Sequence, residues 1–485
     1  MINNSIKIVS VVTLITIISS GLTDYPGARI VLTQTGLDYL TEIGLPYLQS
    51  ALDTTINIPD QSGEKFLIYY ELSNIQIWGI HLKGLSAILG SNGLTLKGTD
   101  LSIKMRLDYS FTFLVIHESG SIEVDISDGD LSQTILAKRD ENGHPILQSD
   151  GCAIHVSGVN LEFTGWLDGI LNLISGILDD LVEDYLDNNG CSRLSSVIED
   201  DLNPLIQTFQ TEANIEEFIE IDYSLVDNPL FTDLELQVDL KGEFVSVKQY
   251  SVEPPFSAPP IPELTEFSRM AYLMVSTYTA NTAAFAYQEE EFLHINIAPD
   301  TLPAKVDIPI TTVLFQDLIP AFYNKYPDMN LTLNMYATKP PILKVTPGEA
   351  RLQGSGIIEF AVYDANCDNA IVHAFSLEVD GSTEVEVGLK QVAGATNVTG
   401  KIESLDLEVS ILDTEVGTIN ATKITDLIRL LGNSLIIPLV NSFAGVGWPI
   451  PAIDGIELED TELILRNDYI LIGTDVNYVP QQSNP

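Results

Sequence analysis

Residues 101–113 hold the pattern that most restricts this fold. Leu101, Ile103, Met105, Leu107, Tyr109, Phe111 and Phe113 alternate with Ser102, Lys104, Arg106, Asp108, Ser110 and Thr112. A period of two puts every apolar side chain on one face of an extended strand. The strand spans about 13 residues, against the usual five or six. A dry face of that length needs either a second sheet or long helices across it. Ile122, Val124 and Ile126 continue the alternation in the next segment.

Helical stripes supply the other wall. Thr35 to Leu52 carries apolar residues at Leu37, Leu40, Tyr47, Leu48 and Ala51, despite Pro46. Gly165 to Leu186 presents Leu167, Ile170, Leu171, Ile174, Ile177, Leu178, Leu181 and Tyr185 on one broad face, with Asp168, Asp179, Asp180, Glu183 and Asp184 opposite. After Asn188-Asn189-Gly190, a further helix is expected from Cys191 toward Phe209.

The alphabet repeats in the second half. A helix is expected over Thr311–Phe322 (Leu314, Phe315, Leu318, Phe322), followed by alternation at Leu331, Leu333 and Met335. Leu405, Leu407, Val409 and Ile411 alternate again, a helix is expected over Thr425–Val440, and Ile470, Ile472, Thr474, Val476 and Tyr478 form a last strand. Between the halves, Val252 to Pro262 holds five prolines, which favour an extended, stiff segment. The pattern predicts two α+β halves of similar build, 21–250 and 263–485, joined by 251–262.

Composition narrows the function. The chain has 485 residues, 45% hydrophobic and 19% charged, and a mean hydropathy of +0.17. No run of about 18 consecutive apolar residues appears beyond the N-terminus, so the apolar excess is expected inside soluble domains. Acidic residues number 68 against 23 basic ones, a net charge of −45. Nucleic acids and anionic membranes are bound through Lys and Arg on phosphate, so both are poor partners for this chain. Residues 1–20, a Lys7-tipped start followed by an apolar run from Ile8 to Ile18 and then Ser19-Ser20-Gly21, read as a secretory signal peptide. In that compartment three cysteines imply one pair and one odd thiol. Cys152 and Cys191 share a region, and a bridge between them closes a loop of about 40 residues, worth about 3–4 kcal/mol. Cys367 lies far away on an expected loop. Sequons at Asn330, Asn397 and Asn420 are glycan acceptors in a glycosylating host.

No Gly-x-Ser-x-Gly elbow, HExxH motif or Walker loop occurs, and the six histidines are scattered. Asp125, Asp128 and Asp130 lack the later Glu of an EF-hand and read as a solvated turn. Trp166 and Trp448 are expected in packing. The chain therefore reads as a binding protein with neither catalytic residues nor metal ligands.

Several motifs resemble the lipid-transfer and lipopolysaccharide-binding family that includes bactericidal permeability-increasing protein, lipopolysaccharide-binding protein and cholesteryl ester transfer protein. They are Pro26-Gly27-Ala28-Arg29-Ile30 with Thr33 to Tyr39, and Gly165-Trp166-Leu167 between cysteines spaced as in the family disulfide. In the second half they are Asn281-Thr282-Ala283 with Tyr287-Gln288-Glu289, Leu318-Ile319-Pro320, Lys325 to Met329, Pro340-Pro341 ahead of Pro347, Gly447 to Pro451, and Leu471 to Val476. The likeness covers nearly the whole mature chain. It implies two similar barrels, each a curled antiparallel sheet wrapped on long helices. A central sheet, to which the last strand returns, would join them into an elongated boomerang.

It further implies a secreted monomer that holds phospholipid in apolar pockets, with the head group at the rim and without a cofactor, touching lipid surfaces transiently. Pocket candidates are Leu37, Leu40, Leu48, Ile170, Ile174 and Ile177 in the first barrel, and Phe315, Leu318, Phe322, Leu427, Leu430 and Leu431 in the second. Each taken singly reads at least as well as ordinary core, and the assignment holds for the set rather than the member. Family members that capture lipopolysaccharide carry a cation-rich tip. The expected counterpart here, Lys104 to Phe111, holds two basic residues and one acidic.

Overall fold

A computed structural model describes residues 25–52, 55–65, 67–156, 158–163, 185–248, 252–298, 310–364, 370–392, 395–451 and 455–479. The alternation at 101–113 lies in a strand of 21 residues, Gly93–Phe113. Its neighbours Ile68–His81 and Ile116–Arg139 are comparably long, and together they anchor an eight-stranded antiparallel sheet. Leu101, Ile103, Met105, Leu107, Tyr109 and Phe111 are all buried on its inner face, with Ile122, Val124 and Ile126 beside them. Irregularities in register at Ser73/Gln76, Trp78/His81 and Gly98/Leu101 add local twist, which curls the sheet around that face. Asp125 to Asp130 lies within the strand Ile116–Arg139, paired on both sides, and not in a turn.

The second half repeats the design. Glu349–Asp364 and Ala370–Glu384 are the long strands of a six-stranded antiparallel sheet whose inner face carries a second core. The helix expected over 311–322 is broken. A short 3-10 turn, Thr312–Phe315, is followed by Pro320–Lys325, because Pro320 has no N–H and forces Ile319 out of helical geometry at φ −138°. The later helix is longer than expected, running from Ala421–Leu431 through a π turn at Gly432–Ile436 into Ile437–Ala444. By length and composition Thr422–Ala444 could cross a membrane, yet Ile424, Leu427, Ile428 and Leu431 are buried in the second core. Among the described strands neither large sheet closes into a barrel; helices cover the open side instead.

A third sheet joins the halves. Its order is Leu230–Phe231, Glu235–Leu240, Ala28–Thr33, Ala271–Ser276, Tyr469–Tyr478 and Ile456–Arg466, so three strands precede the proline segment and three follow it. Ala28 sits opposite Val275 and Leu32 opposite Ala271, making the seam a backbone ladder. Arg29 forks onto Asp239 at 2.6 and 3.0 Å. Ile261 and Leu264, from the proline segment and just beyond it, pack on one face of this sheet against Val31 and Tyr272. On the opposite face Trp448 meets Phe244 edge-on at 6.1 Å. Tyr223, from the first half, donates to the Pro449 carbonyl of the second at 2.6 Å.

Burial raises the Tyr223 hydroxyl far above its usual range and pushes Tyr287 up to about 12. The unfolded chain ionises near pH 10 while the folded chain keeps both rings neutral, so stability is full below that pH and falls above it. Thermal melts between pH 9 and 12 on the order of these values are expected to drop steeply from about pH 10.

Candidate functional site

The inner face of the first sheet does not fill completely. Ile56, Ile77, Ile80, Leu101, Ile103, Leu131 and Ile154 form the floor of an apolar cleft. Its roof includes Tyr185 and the helical run Leu186–Gly190 and Cys191–Ser196. The cavity volume is about 60 Å³. A water-sized group needs about 10–15 Å³ on this measure, so about four to six such groups fit with the side chains where they stand.

Two stripes of the roof line the cleft. Leu186, Gly190 and Leu194, four residues apart, present the apolar one. Tyr185, Asn189 and Arg193 form the second at the same spacing, and Arg193 is the single charged residue among those lining the cleft. Burial raises the Tyr185 hydroxyl above its usual range. Gly190 sits close to the floor: a Cβ there would lie 2.7 Å from Ile154 Cδ1. Its absence lets the helix approach the strand Pro145–His155.

The Cys152–Cys191 disulfide pins that approach, tying the same strand to the same helix with Cα atoms 5.6 Å apart. The Ser149 and Ser195 hydroxyls add a 2.7 Å contact, and Ser149 N–H donates to Glu199 at 2.9 Å. Replacing both cysteines with serine is expected to lower stability by about 3–4 kcal/mol, measured by urea denaturation with and without reductant. Equal midpoints for the parent and the double variant in oxidising buffer would contradict it.

The sequence-derived pocket residues distribute unevenly. Leu37 and Leu40 pack in a small separate cluster with Ala87 and Leu89, whereas Leu48 leans on the main core of the first sheet. Ile170, Ile174 and Ile177 lie outside the described residues, as do Trp166, Cys367 and residues 1–20. In the second half Phe315, Phe322, Leu427 and Leu431 come together in one buried cluster, with Leu318 packed against it. Leu430 is on the solvent side of its helix, half exposed. The alternation placed Leu101 and Ile103 on the dry face without marking them as lining. Arg193 gave no signal at all, because a lone cation on a short helix has no period.

A second feature lies at one end of the first sheet. Two adjacent hairpin turns expose Leu67 (71%), Leu114 (77%) and Val115 (97%), with Tyr69 and Ile116 half exposed beside them. Leu67 and Leu114 hold φ of +66° and +53°, a left-handed backbone that glycine or asparagine adopts with less strain. Lys104 to Phe111 is mid-strand, so the tip of the sheet is this apolar pair of turns.

Among the described residues no cluster of three or more His, Cys, Asp or Glu could hold a metal. Of the sequons, Asn330 and Asn420 are exposed; Asn420 caps a helix through Oδ1, which leaves Nδ2 free. Asn397 is 6% exposed, and its Nδ2 donates to the Val446 carbonyl at 3.0 Å. Since a glycan attaches at Nδ2, glycopeptide mapping from a glycosylating host is expected to find Asn330 and Asn420 occupied and Asn397 bare. Occupancy at Asn397 would mean that the glycan is attached before this segment folds.

Sequence models of the two halves of one family match the chain: LBP / BPI / CETP family, N-terminal domain, over residues 36–205, and C-terminal domain over 213–478. A bactericidal permeability-increasing protein of Sebastes schlegelii is 29% identical over 96% of this chain and 98% of its own length. A lipopolysaccharide-binding protein of Mus musculus is 30% identical over 94% of each chain. The crystal structure of lipopolysaccharide binding protein superposes with a TM-score of 0.58 at 27% identity, covering 94% of this chain and all of the other.

Proposed function

We propose, since the chain belongs to the LBP / BPI / CETP family, that it is a secreted lipid carrier holding acyl chains of phospholipid-like ligands in apolar pockets. The observation that carries this reading is the cleft, apolar on floor and roof, with its polar groups confined to one stripe. Four to six methylenes at about 0.8 kcal/mol each contribute about 3–5 kcal/mol before ordering costs. The carrier acts by binding, not catalysis, calls on no cofactor and works as a monomer. Residues 21–250 and 263–485 are its two lipid-binding units, with 251–262 between them. Secretion is supported by the leader-like residues 1–20 and by the Cys152–Cys191 bridge.

The apolar tip is the proposed point of transient contact with a lipid surface. Segments 65–69 and 113–117 together contain no carboxylate, in a chain where 68 of 485 residues are acidic. An acid-free apolar knob fits a zwitterionic surface, into which Leu114 and Val115 would dip.

Mass spectrometry of lipid extracted from gently purified protein tests the reading. Roughly stoichiometric acyl lipid is expected; repeated lipid-free preparations from a lipid-replete host would overturn it. The names of the relatives favour a second reading, binding of bacterial lipopolysaccharide. Charge speaks against it: at −45, and with Lys65 and His117 the only basic residues of the two tip segments, attraction to lipid phosphates is weak. Tight lipopolysaccharide binding that fades with added salt would decide for this second reading.

A further inference from the structure

We infer that the helix face Cys191, Ser195, Glu199 and Asn203 stands in for a missing strand: it occupies the edge of Pro145–His155 and so keeps this chain from pairing edge to edge with a second copy of itself.

Among the described strands, Pro145–His155 is the last on the path of the first sheet, an edge of 11 residues. An edge strand turns unpaired N–H and C=O groups outward, a template for another chain. Here the outward donors from 145 to 149 are missing or taken. Asn203 meets Leu147 as a neighbouring strand would: Oδ1 accepts from the Leu147 N–H at 2.7 Å and Nδ2 donates to its carbonyl at 3.0 Å. Glu199 accepts from the Ser149 N–H at 2.9 Å. Residues two apart on a strand aim their N–H groups the same way, so position 145 faces this side too, and Pro145 has no N–H. Further along, the Ser195 and Ser149 hydroxyls lie 2.7 Å apart and Cys191 is bonded to Cys152.

The helix is wound to suit the strand. On an α-helix of 3.6 residues per turn, a stripe at intervals of four drifts about 40° each turn, away from a straight edge. This run is not purely α: Cys191–Ser196 passes through a π turn, Val197–Leu202, before Asn203–Ile206. A π turn closes i→i+5 and holds more residues, which takes back part of the drift. Leu194, Val197 and Ile198 are buried, so apolar packing seats the helix independently of the polar stripe.

A second edge of equal length shows the usual alternative. Ile456–Arg466 ends the central sheet and carries Glu457, Glu459, Asp460 and Glu462, with an irregular register at Glu459/Glu462. Charge and a bulge are common guards of an edge. Pro145–His155 has one carboxylate, Asp150, and no Lys or Arg, so the helix supplies the protection that its own side chains do not.

Sedimentation of the full-length oxidised protein, with amide exchange at Leu147 and Ser149 read on the same samples, tests this. Salt of about 1 M, where the Debye length is about 3 Å, suppresses repulsion between two chains at −45. The parent is expected to stay monomeric from about 1 to 100 μM, whereas E199A/N203A should move toward twice the chain mass over that range. In the dilute double variant both amides should exchange about 10-fold faster than in the parent, then regain protection as it dimerises. E199Q keeps an acceptor oxygen without the charge and should behave as the parent. S149P added to the double variant withholds a donor and should restore the monomer. Should the double variant not fold, E199A alone, at an exposed position, carries the same readings at Ser149. A double variant that stays monomeric, that associates without protecting these amides, or whose association survives S149P overturns the inference. Association of E199Q to the same degree would assign the effect to charge and overturn it as well.

Discussion

Phe375→Ala is expected to destabilise the protein by about 3–5 kcal/mol, the upper range for emptying a packed core site. Phe375 is fully buried and stacks on Phe360 at 4.5 Å and 17°. Phe315 and Phe322 meet it edge-on at 5.5 and 5.6 Å. These rings come from two strands, a 3-10 turn and a short helix, so no single segment can shift to refill the void. The added attraction of such ring pairs, about 0.5–1.5 kcal/mol each, goes with the ring. Phe375→Leu should recover much of the loss, since it leaves most of the volume. Thermal and urea melts of the three proteins check this. A cost below about 1 kcal/mol for the alanine variant would mean a loosely filled second half with space to collapse.

Lys241→Met should cost about 2–4 kcal/mol, measured the same way at neutral pH. The Lys241 ammonium lies 3.3 Å from Asp222 and 3.4 Å from Glu243, carboxylates 8% and 5% exposed. Glu243 also accepts from the Tyr278 hydroxyl, which belongs to the second half. Removing the cation leaves two carboxylates in a poorly solvated pocket, a change worth about 3–5 kcal/mol when burial is complete. The Lys241 side chain is 36% exposed, so solvent takes up part of that. Burial alone would lower the Lys241 ammonium, but Glu243 and Asp222 outweigh it and hold the group above its usual 10.5. A raised folded value means that the contribution is full below pH 10.5 and lost as pH rises through it. In the methionine variant the deficit should shrink on acidification, because protonation relieves the stranded carboxylates. A deficit independent of pH would show that Lys241 contributes packing and not charge.

The two predictions touch different parts of the same lesson. Phe315 and Phe322 looked like pocket walls because a helical stripe says only that one face is dry. What they meet depends on Phe360 and Phe375, some 40 to 60 positions away, whose rings pack against theirs. The continuous helix expected over 311–322 failed for a local reason that was visible, Pro320, but the apolar period outweighed it in the reading. Asn397 satisfies the sequon rule in Asn-Val-Thr, and only the pairing of its strand with Trp448-Pro449 buries it.

The sequence by itself determined the long one-faced strands and the cysteine pair close enough along the chain to join. Each is a short-range property: side-chain period and loop length. The tertiary structure decided the rest. It set Ala28–Thr33 beside Ala271–Ser276 so that neither half completes the central sheet alone, gathered four phenylalanines in the second core, and left a cleft in the first beside Arg193. Periodicity fixes which way a side chain faces, whereas the distance to the surface it faces is a sum over residues remote in sequence.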